Sequence, residues 1–380
     1  MAVTVTWDNL RELAGFTADQ GCAVSLYLNL DPREAPTAAD VETRANSLIS
    51  EAHRELEARK AALGREAREA LKHDIERIKS WLHDGLDRHG VRGVAVFSAG
   101  LDNLWSTLTL PEPVADHVTI SGELSLAPLA RLVGRGTGVL VAAVGRERGQ
   151  VYKLEAGSLV EIADQTDDVP GRHDQGGWSQ ARYERHIDEI VERHWRRVAD
   201  TLDVCVRELK GARVALVCAE DMRSDFEELL SSEVKQCLIG WTTAEAHADA
   251  AQLLEAARPV FEEWRAKRED EVIARWREEA GKRGRAAAGW EQTLEAASDG
   301  RAELLLVQDG VDQPAYRCPR CGRAQTAAGS CPLDGTTLEN RKSGLELAVH
   351  QTLVHGGTVH VIRERHDLEP VGGVGALLRY

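Results

Sequence analysis

The chain of 380 residues has no apolar run approaching the roughly 18 to 20 residues that span a bilayer, and positions 1–20 hold no basic start followed by an apolar stretch. The expectation is a cytoplasmic protein without a membrane span. A disulfide framework is missing as well. Seven cysteines is an odd number, and four of them (Cys22, Cys205, Cys218, Cys237) lie far apart and read as buried thiols. Nor is there a surplus of positive charge. Lys and Arg number 47 against 62 Asp and Glu, a net −15, which taken alone argues against nucleic acid because phosphates attract an excess of cations. The phosphate-binding loop, the dinucleotide fingerprint, Gly-x-Ser-x-Gly and His-Glu-x-x-His are all absent, and the thirteen histidines are scattered without metal spacing. A conventional hydrolase or oxidoreductase is therefore disfavoured. No internal repeat or low-complexity tract is present.

What is present is ordinary globular material, 43% hydrophobic and 29% charged, long enough for two or three domains with their own cores. Between 171 and 213 nine Arg and Lys face eight Asp and Glu, so this stretch is near neutral while most of the acid lies elsewhere. Segment 23–30 (AVSLYLNL) reads as a strand stopped by Asp31-Pro32, and 41–88 as a helical hairpin broken near Gly64. Strands at 91–98 and 105–110 complete a first α/β domain over 1–121. Strands at 138–144, 150–154 and 159–162 lead into a loop, 164–180, with no apolar periodicity. A loop that long in a compact domain is usually functional or mobile. A long helix over 182–210 follows, with Ile187, Ile190, Val191, His194, Trp195, Val198 and Leu202 on one stripe. Apolar segments 214–218 and 234–239, with a helix from Asp221, complete a second domain over 122–242. The third, 243–380, opens with helix over 243–281 and 289–297. It continues with a strand at 304–308, an insert of about 315–341, a helix at 344–354, a strand at 358–362 and a glycine-rich tail.

Two groups of residues carry chemistry. Cys318-Pro-Arg-Cys321, then Cys331-Pro-Leu-Asp334, is a pair of knuckles with Asp in place of a fourth Cys. Such a set closes a tetrahedral Zn²⁺ site, with a carboxylate oxygen as fourth ligand and no open position, so the metal would be structural. The alternative is three reduced thiols on a small β-ribbon. In the loop, Gly176-Gly177-Trp178-Ser179-Gln180 stands directly before the long helix. The glycines allow close backbone approach, and Trp178 is a stacking platform for a base or an anchor in a partner's pocket, unless it folds back onto its own domain. Arg182, Arg185, His186, Arg193, His194, Arg196 and Arg197 make the helix the most cationic element available for phosphates. Glu184, Asp188, Glu189 and Glu192 offer intrahelical ion pairs instead.

The run HDQGGWSQARYERHIDEIVERHWRRVADTL resembles the middle-domain signature of the archaeal and eukaryotic class-1 peptide-release factors, in which a Gly-Gly-Gln loop precedes a long basic helix. The tail HQTLVHGGTVHVIRERHDLEPVGGVGALLRY resembles the end of their third domain, and CPRCG…CPLDG stands where archaeal members carry a zinc-binding minidomain. The resemblance implies a mixed α/β (α+β) protein of three domains arranged in the tRNA-like shape of that family, with a small zinc-ribbon-like insert holding structural Zn²⁺ on Cys318, Cys321, Cys331 and Asp334. Trp178 replaces the catalytic Gln, and Ala45-Asn-Ser-Leu48 is the nearest text to the family's Asn-Ile-Lys-Ser, so stop-codon reading is expected to be absent. This pattern is similar to the bacterial branch that includes the hibernation factor Balon. It implies a protein that occupies the A site of idle ribosomes, contacts 23S and 16S rRNA through Gly176–Gln180, Arg182, Arg185 and Arg193, and can arrive with elongation factor Tu; neither DNA nor a membrane is an expected partner. The alternative is a rescue factor that releases nascent chains, or tRNA, using Gln180 in its Gly-x-x-Gln spacing. A ribosome-independent RNA-binding or scaffold role is a third reading.

Overall fold

The computed structural model describes residues 5–86, 91–110, 112–133, 138–155, 158–166, 180–209, 212–282, 284–363 and 365–380. Gly176, Gly177, Trp178 and Ser179 lie outside the described residues, as do the side chains of Gln180, Arg182 and Arg185.

The chain opens with α1 (Trp7–Ala14), β1 (Ala23–Asn29), α2 (Ala38–Ala58), α3 (Arg65–Ser80), β2 (Gly93–Ala99), β3 (Leu104–Leu110), β4 (His117–Ser121) and a short α4 (Ala127–Ala130). Next come β5 (Val139–Val144), β6 (Gly149–Glu155), β7 (Ser158–Asp164), α5 (Gln180–Glu208), β8 (Arg213–Val217), α6 (Arg223–Leu229), α7 (Ser232–Cys237), β9 (Leu238–Thr242) and α8 (Ala250–Gly281). The last part contains β10 (Ala286–Ala288), α9 (Gly289–Ser298), β11 (Ala302–Gln308), β12 (Ala315–Arg317), β13 (Ala324–Gln325), β14 (Glu339–Arg341), α10 (Gly344–Val354), β15 (Thr358–Ile362) and β16 (Val374–Leu378). The architecture is mixed α/β with several sheets.

Contacts divide the chain into two compact units, 1–135 with 269–380, and 136–268. In the first unit a four-stranded antiparallel sheet, β3-β2-β1-β4, is buried on both faces, which explains why β1 and β2 are buried at every residue. One face takes Leu48, Ile49 and Leu56 of α2 and Leu71, Ile75 and Ile78 of α3. A reciprocal cap between Thr37 and Asp40 starts α2. The other face, through Tyr27, Phe97 and Leu110, shares a core with Leu294 of α9, Leu305 and Val307 of β11 and Leu353 of α10. That second layer is the sheet β10-β16-β11-β15, in which β11 and β15 run parallel and the glycine-rich tail supplies the interior strand β16.

The second unit is a five-stranded sheet, β7-β6-β5-β8-β9. Its β5, β8 and β9 are parallel neighbours and β5-β6-β7 an antiparallel meander. The side chains of α5, α6 and α7 pack on one face, with Phe226 fully buried, and those of α8 (Leu253, Ala257, Phe261) on the other.

The sequence reading needs correction at 234–239, where strand begins only at Leu238. The Ser231 hydroxyl accepts from Val234 N at 3.2 Å and caps a helical turn through Cys237. The helix expected from 243 begins at Ala250. The tail, read as an ending, is a strand, and α1 and β4 had no counterpart in the sequence reading.

Candidate functional site

The 29-residue α5 is held by a stripe of Val191, Trp195, Val198, Ala199 and Leu202, all buried. Trp195 packs edge-on against Phe226 at 6.2 Å, and its indole N–H donates to Gly145 O at 2.8 Å. His194, counted above among the helix cations, is 0% exposed, with ring Nε2 3.1 Å from Arg148 O, so it belongs to the core and not to a phosphate-facing surface. Arg193 is exposed. Arg196 pairs with Glu192 at 2.5 Å, and Arg207 with Asp203 and Glu233 at 3.3 and 2.9 Å. Such exposed pairs are screened by water and add little to stability. Of the sequence-predicted RNA-contacting residues, Arg193 is therefore the one whose side chain is described, and it points to solvent.

Gly149, the first residue of β6, is met both by the segment that follows β7 and by the body of α5. Gln165 N donates to Gly149 O at 2.7 Å, while α5 presses Val198 and His194 onto the same residue. A Cβ on Gly149 would meet Val198 Cγ2 at 2.5 Å and His194 Cε1 at 2.9 Å. Gly149→Ala is therefore expected to lower stability by about 1–3 kcal/mol, read as a drop in melting temperature. An unchanged melting temperature would show that α5 is not seated as described.

The cysteine insert is a three-stranded ribbon, β13-β12-β14, in which two turns repeat one hydrogen-bond pattern. Cys318 N donates to Arg323 O (2.8 Å) and Gly322 N to Cys318 O (3.0 Å). Cys331 N donates to Thr336 O (2.8 Å) and Gly335 N to Cys331 O (2.9 Å). Gly322 and Gly335 close the turns at φ +77° and +72°, a left-handed conformation that favours glycine. Asp334 thus occupies the position in its turn that Cys321 occupies in the other.

The four ligand atoms lie within 4.8 Å of one another, with Cys321 Sγ 3.5 Å from Cys331 Sγ and Cys318 Sγ 3.5 Å from Asp334 Oδ2. A tetrahedron of Zn–S bonds near 2.3 Å has edges of about 3.8 Å, so this donor set fits zinc. Thr336 N–H holds the Asp334 carboxyl down at about 2. Burial pushes the Cys318 thiol up, but the N–H groups of Cys321 and Arg320 outweigh it and bring the thiol below its ordinary value. Asp334 is thereby held as a carboxylate and Cys318 is moved toward the thiolate, while, against the pull of the Arg323 N–H, burial and the neighbouring Cys331 and Cys318 push Cys321 up to about 11. The ribbon is fastened to its surroundings by Arg323, which pairs with Asp299 and Glu295 at 2.6 and 2.8 Å, and by Gln351 Nε2, which donates to Gly322 O at 3.3 Å.

Sequence reasoning missed Glu346. Half-buried in the first unit, its carboxylate accepts from the N–H groups of Leu126 and Ala127 and from Ser125 Oγ. Partners 220 positions apart leave no local signal. The same holds for Glu123, which Arg317 reaches directly and which lies 3.8 Å from His350.

Residues 125–262 match the model of bacterial archaeo-eukaryotic release factor family 10. Over 244 residues the chain is 24% identical to peptide chain release factor subunit 1 of Archaeoglobus fulgidus, covering 61% of this chain and 60% of that protein. Over 300 residues it is 22% identical to the protein of the same name from Methanobrevibacter smithii, covering 71% and 72%. The chain therefore spans less than two thirds of the Archaeoglobus relative. A model of ribosome-bound archaeal Pelota and ABCE1 aligns over 99% of this chain and 94% of its own, at 14% identity and a TM-score of 0.41. The family match spans β5 through β9 with the whole of α5, and the archaeal relatives extend the similarity to release factors over a larger part of the chain.

Proposed function

We propose that the chain is a ribosome-binding translation factor that occupies the A site of idle ribosomes as a hibernation or stress factor. The observation that carries this reading is the release-factor family match over 125–262 combined with Trp178 where that family's loop would carry its catalytic Gln. In this reading 1–121, 122–242 and 243–380 are the functional segments. Gly176, Gly177, Trp178, Ser179 and Gln180 reach the peptidyl-transferase centre, and Arg182, Arg185 and Arg193 contact 23S rRNA phosphates. The first segment faces 16S rRNA without reading a codon, and elongation factor Tu is a candidate carrier. A net −15 chain binds RNA through shape and a few cationic positions, so affinity is expected to fall with added salt only in proportion to those few phosphate contacts.

The test is a pelleting assay with vacant and with peptidyl-tRNA-loaded ribosomes, scoring binding and peptide release. Binding to vacant particles without release, weakened by Trp178→Ala and little changed by Gln180→Ala, is the expected result. Release that disappears in Gln180→Ala would replace the proposal with the rescue-factor reading, which the Gly177-Trp-Ser-Gln180 spacing favours. Absence of cosedimentation at physiological salt would reject both.

A further inference from the structure

The second unit contains a cavity of about 940 Å³ that none of the readings above uses. It opens at the carboxyl ends of the parallel neighbours β5 and β8, between Val144 on one strand and Cys218 after the other, and the start of α8 closes it through Leu253. From these two strands the chain leaves in opposite directions across the sheet, β5 to β6 and β8 to β9. In open α/β sheets that divergence leaves a crevice where ligands bind. The volume falls within the range of about 300–1,000 Å³ typical of small-molecule sites.

The chemistry of the walls narrows the ligand. The floor is apolar, formed by small and aliphatic residues such as Ala143, Val217 and Leu253. One wall is a prebuilt polar network. Gln150 Oε1 accepts from Arg148 Nε at 2.7 Å and from Tyr152 Oη at 3.1 Å, and Gln150 Nε2 donates to Glu161 at 3.0 Å. The remaining guanidinium nitrogens of Arg148 donate to Ala246 O and Ala248 O at 3.2 and 2.7 Å, so this cation is engaged within the protein and fixes the loop that enters α8. At the opening, Glu147, Glu161 and Asp164 outnumber Arg146 and Arg148, the latter close enough to act on Asp164. Hydrogen bonds from Thr166 hold Asp164 below the usual carboxylate range. The positive end of α8 offers no counterweight, because Asp249 accepts from Gln252 N at 2.9 Å and lies over that terminus.

We propose that this cavity binds an organic cation with an apolar body, its ammonium group against Glu161 and Asp164 and its hydrocarbon or aromatic part on the apolar floor. An anion of the same shape would meet carboxylates there and bind poorly.

The full chain is titrated by calorimetry with tryptamine and with indole-3-acetate, which present one aromatic body with opposite charges. Saturable one-to-one binding of tryptamine is expected, weakened about tenfold by Glu161→Gln with Asp164→Asn, a change the size of one charge-assisted contact. Ala219→Trp, at an exposed position of the lining, is expected to abolish it with the melting temperature unchanged. Should Ala219→Trp disturb the fold, the exposed carboxylate pair decides alone. No saturable binding of tryptamine, equal binding of indole-3-acetate, or indifference to the carboxylate changes would overturn the proposal.

Discussion

If the cluster holds zinc, the wild-type chain is expected to carry about one equivalent and Cys331→Ser none, whereas Asp334→Cys keeps it. The two turns of the insert have the same backbone bonds and the same left-handed glycine, so position 334 is geometrically equivalent to 321 and accepts a thiolate without rearrangement. The knuckle turns themselves share only a small apolar cluster, Cys318, Cys331, Leu338 and Tyr316, whereas Ala315 and Ala324 at the base of the ribbon join the core of the first unit. Zinc binding in small metal domains amounts to roughly 10–16 kcal/mol at neutral pH, and that free energy is their folding free energy. Loss of metal should therefore expose 317–341 to proteolysis while the two sheets of the first unit, buried elsewhere, persist. Metal content by elemental analysis and limited proteolysis give the answer. A chain with no zinc in the wild type, or Cys331→Ser retaining it, would leave three reduced thiols as the correct description.

The second large effect belongs to Glu346. Glu346→Ala is expected to destabilise the first unit by about 3 kcal/mol or more, because it strands the buried donors Leu126 N, Ala127 N and Ser125 Oγ together. Its titration adds a pH signature. Burial pushes the carboxyl up to about 7, against the opposite pull of the Leu126 and Ala127 N–H groups. The folded value lies above the unfolded one near 4.5, so the folded state binds the proton more tightly. The contribution is fully present below about pH 4.5 and is lost as pH rises through about 7, a difference on the order of 3 kcal/mol. Glu346→Gln resembles the protonated form and should flatten this part of the stability profile. Denaturant unfolding between pH 4.5 and 8 measures it, and a profile unchanged by Glu346→Gln would refute the assignment.

Features written in short stretches were legible without coordinates. The spacing of Cys318, Cys321, Cys331 and Asp334 announces two knuckles because a turn is a local object, and the structure brings all four ligand atoms together. The bounds of α10 and β15 agree with the reading because Ser343 caps the helix and a glycine pair separates it from the strand. The stripe of α5 follows from its periodicity alone. The same stripe already contained His194, yet only packing decides between a buried imidazole and a cation in water. The identical residue fits either, and the choice falls to Arg148 O and the absence of room around Gly149.

What the tertiary structure alone decided are relations between distant positions. Tyr27 donates to Ser125 O at 2.5 Å within 1–135, while Glu346 meets 125–127 and Arg317 meets Glu123, contacts that join 1–135 with 269–380 into one unit around a shared core. The tail became an interior strand because β11 and β10 offered ladders on both its sides. Local spacing determines which residues turn, coil or alternate. Burial, ion pairing across hundreds of positions and cavities at strand ends depend on which surfaces meet, and that is set by the whole chain minimising its exposed apolar area at once.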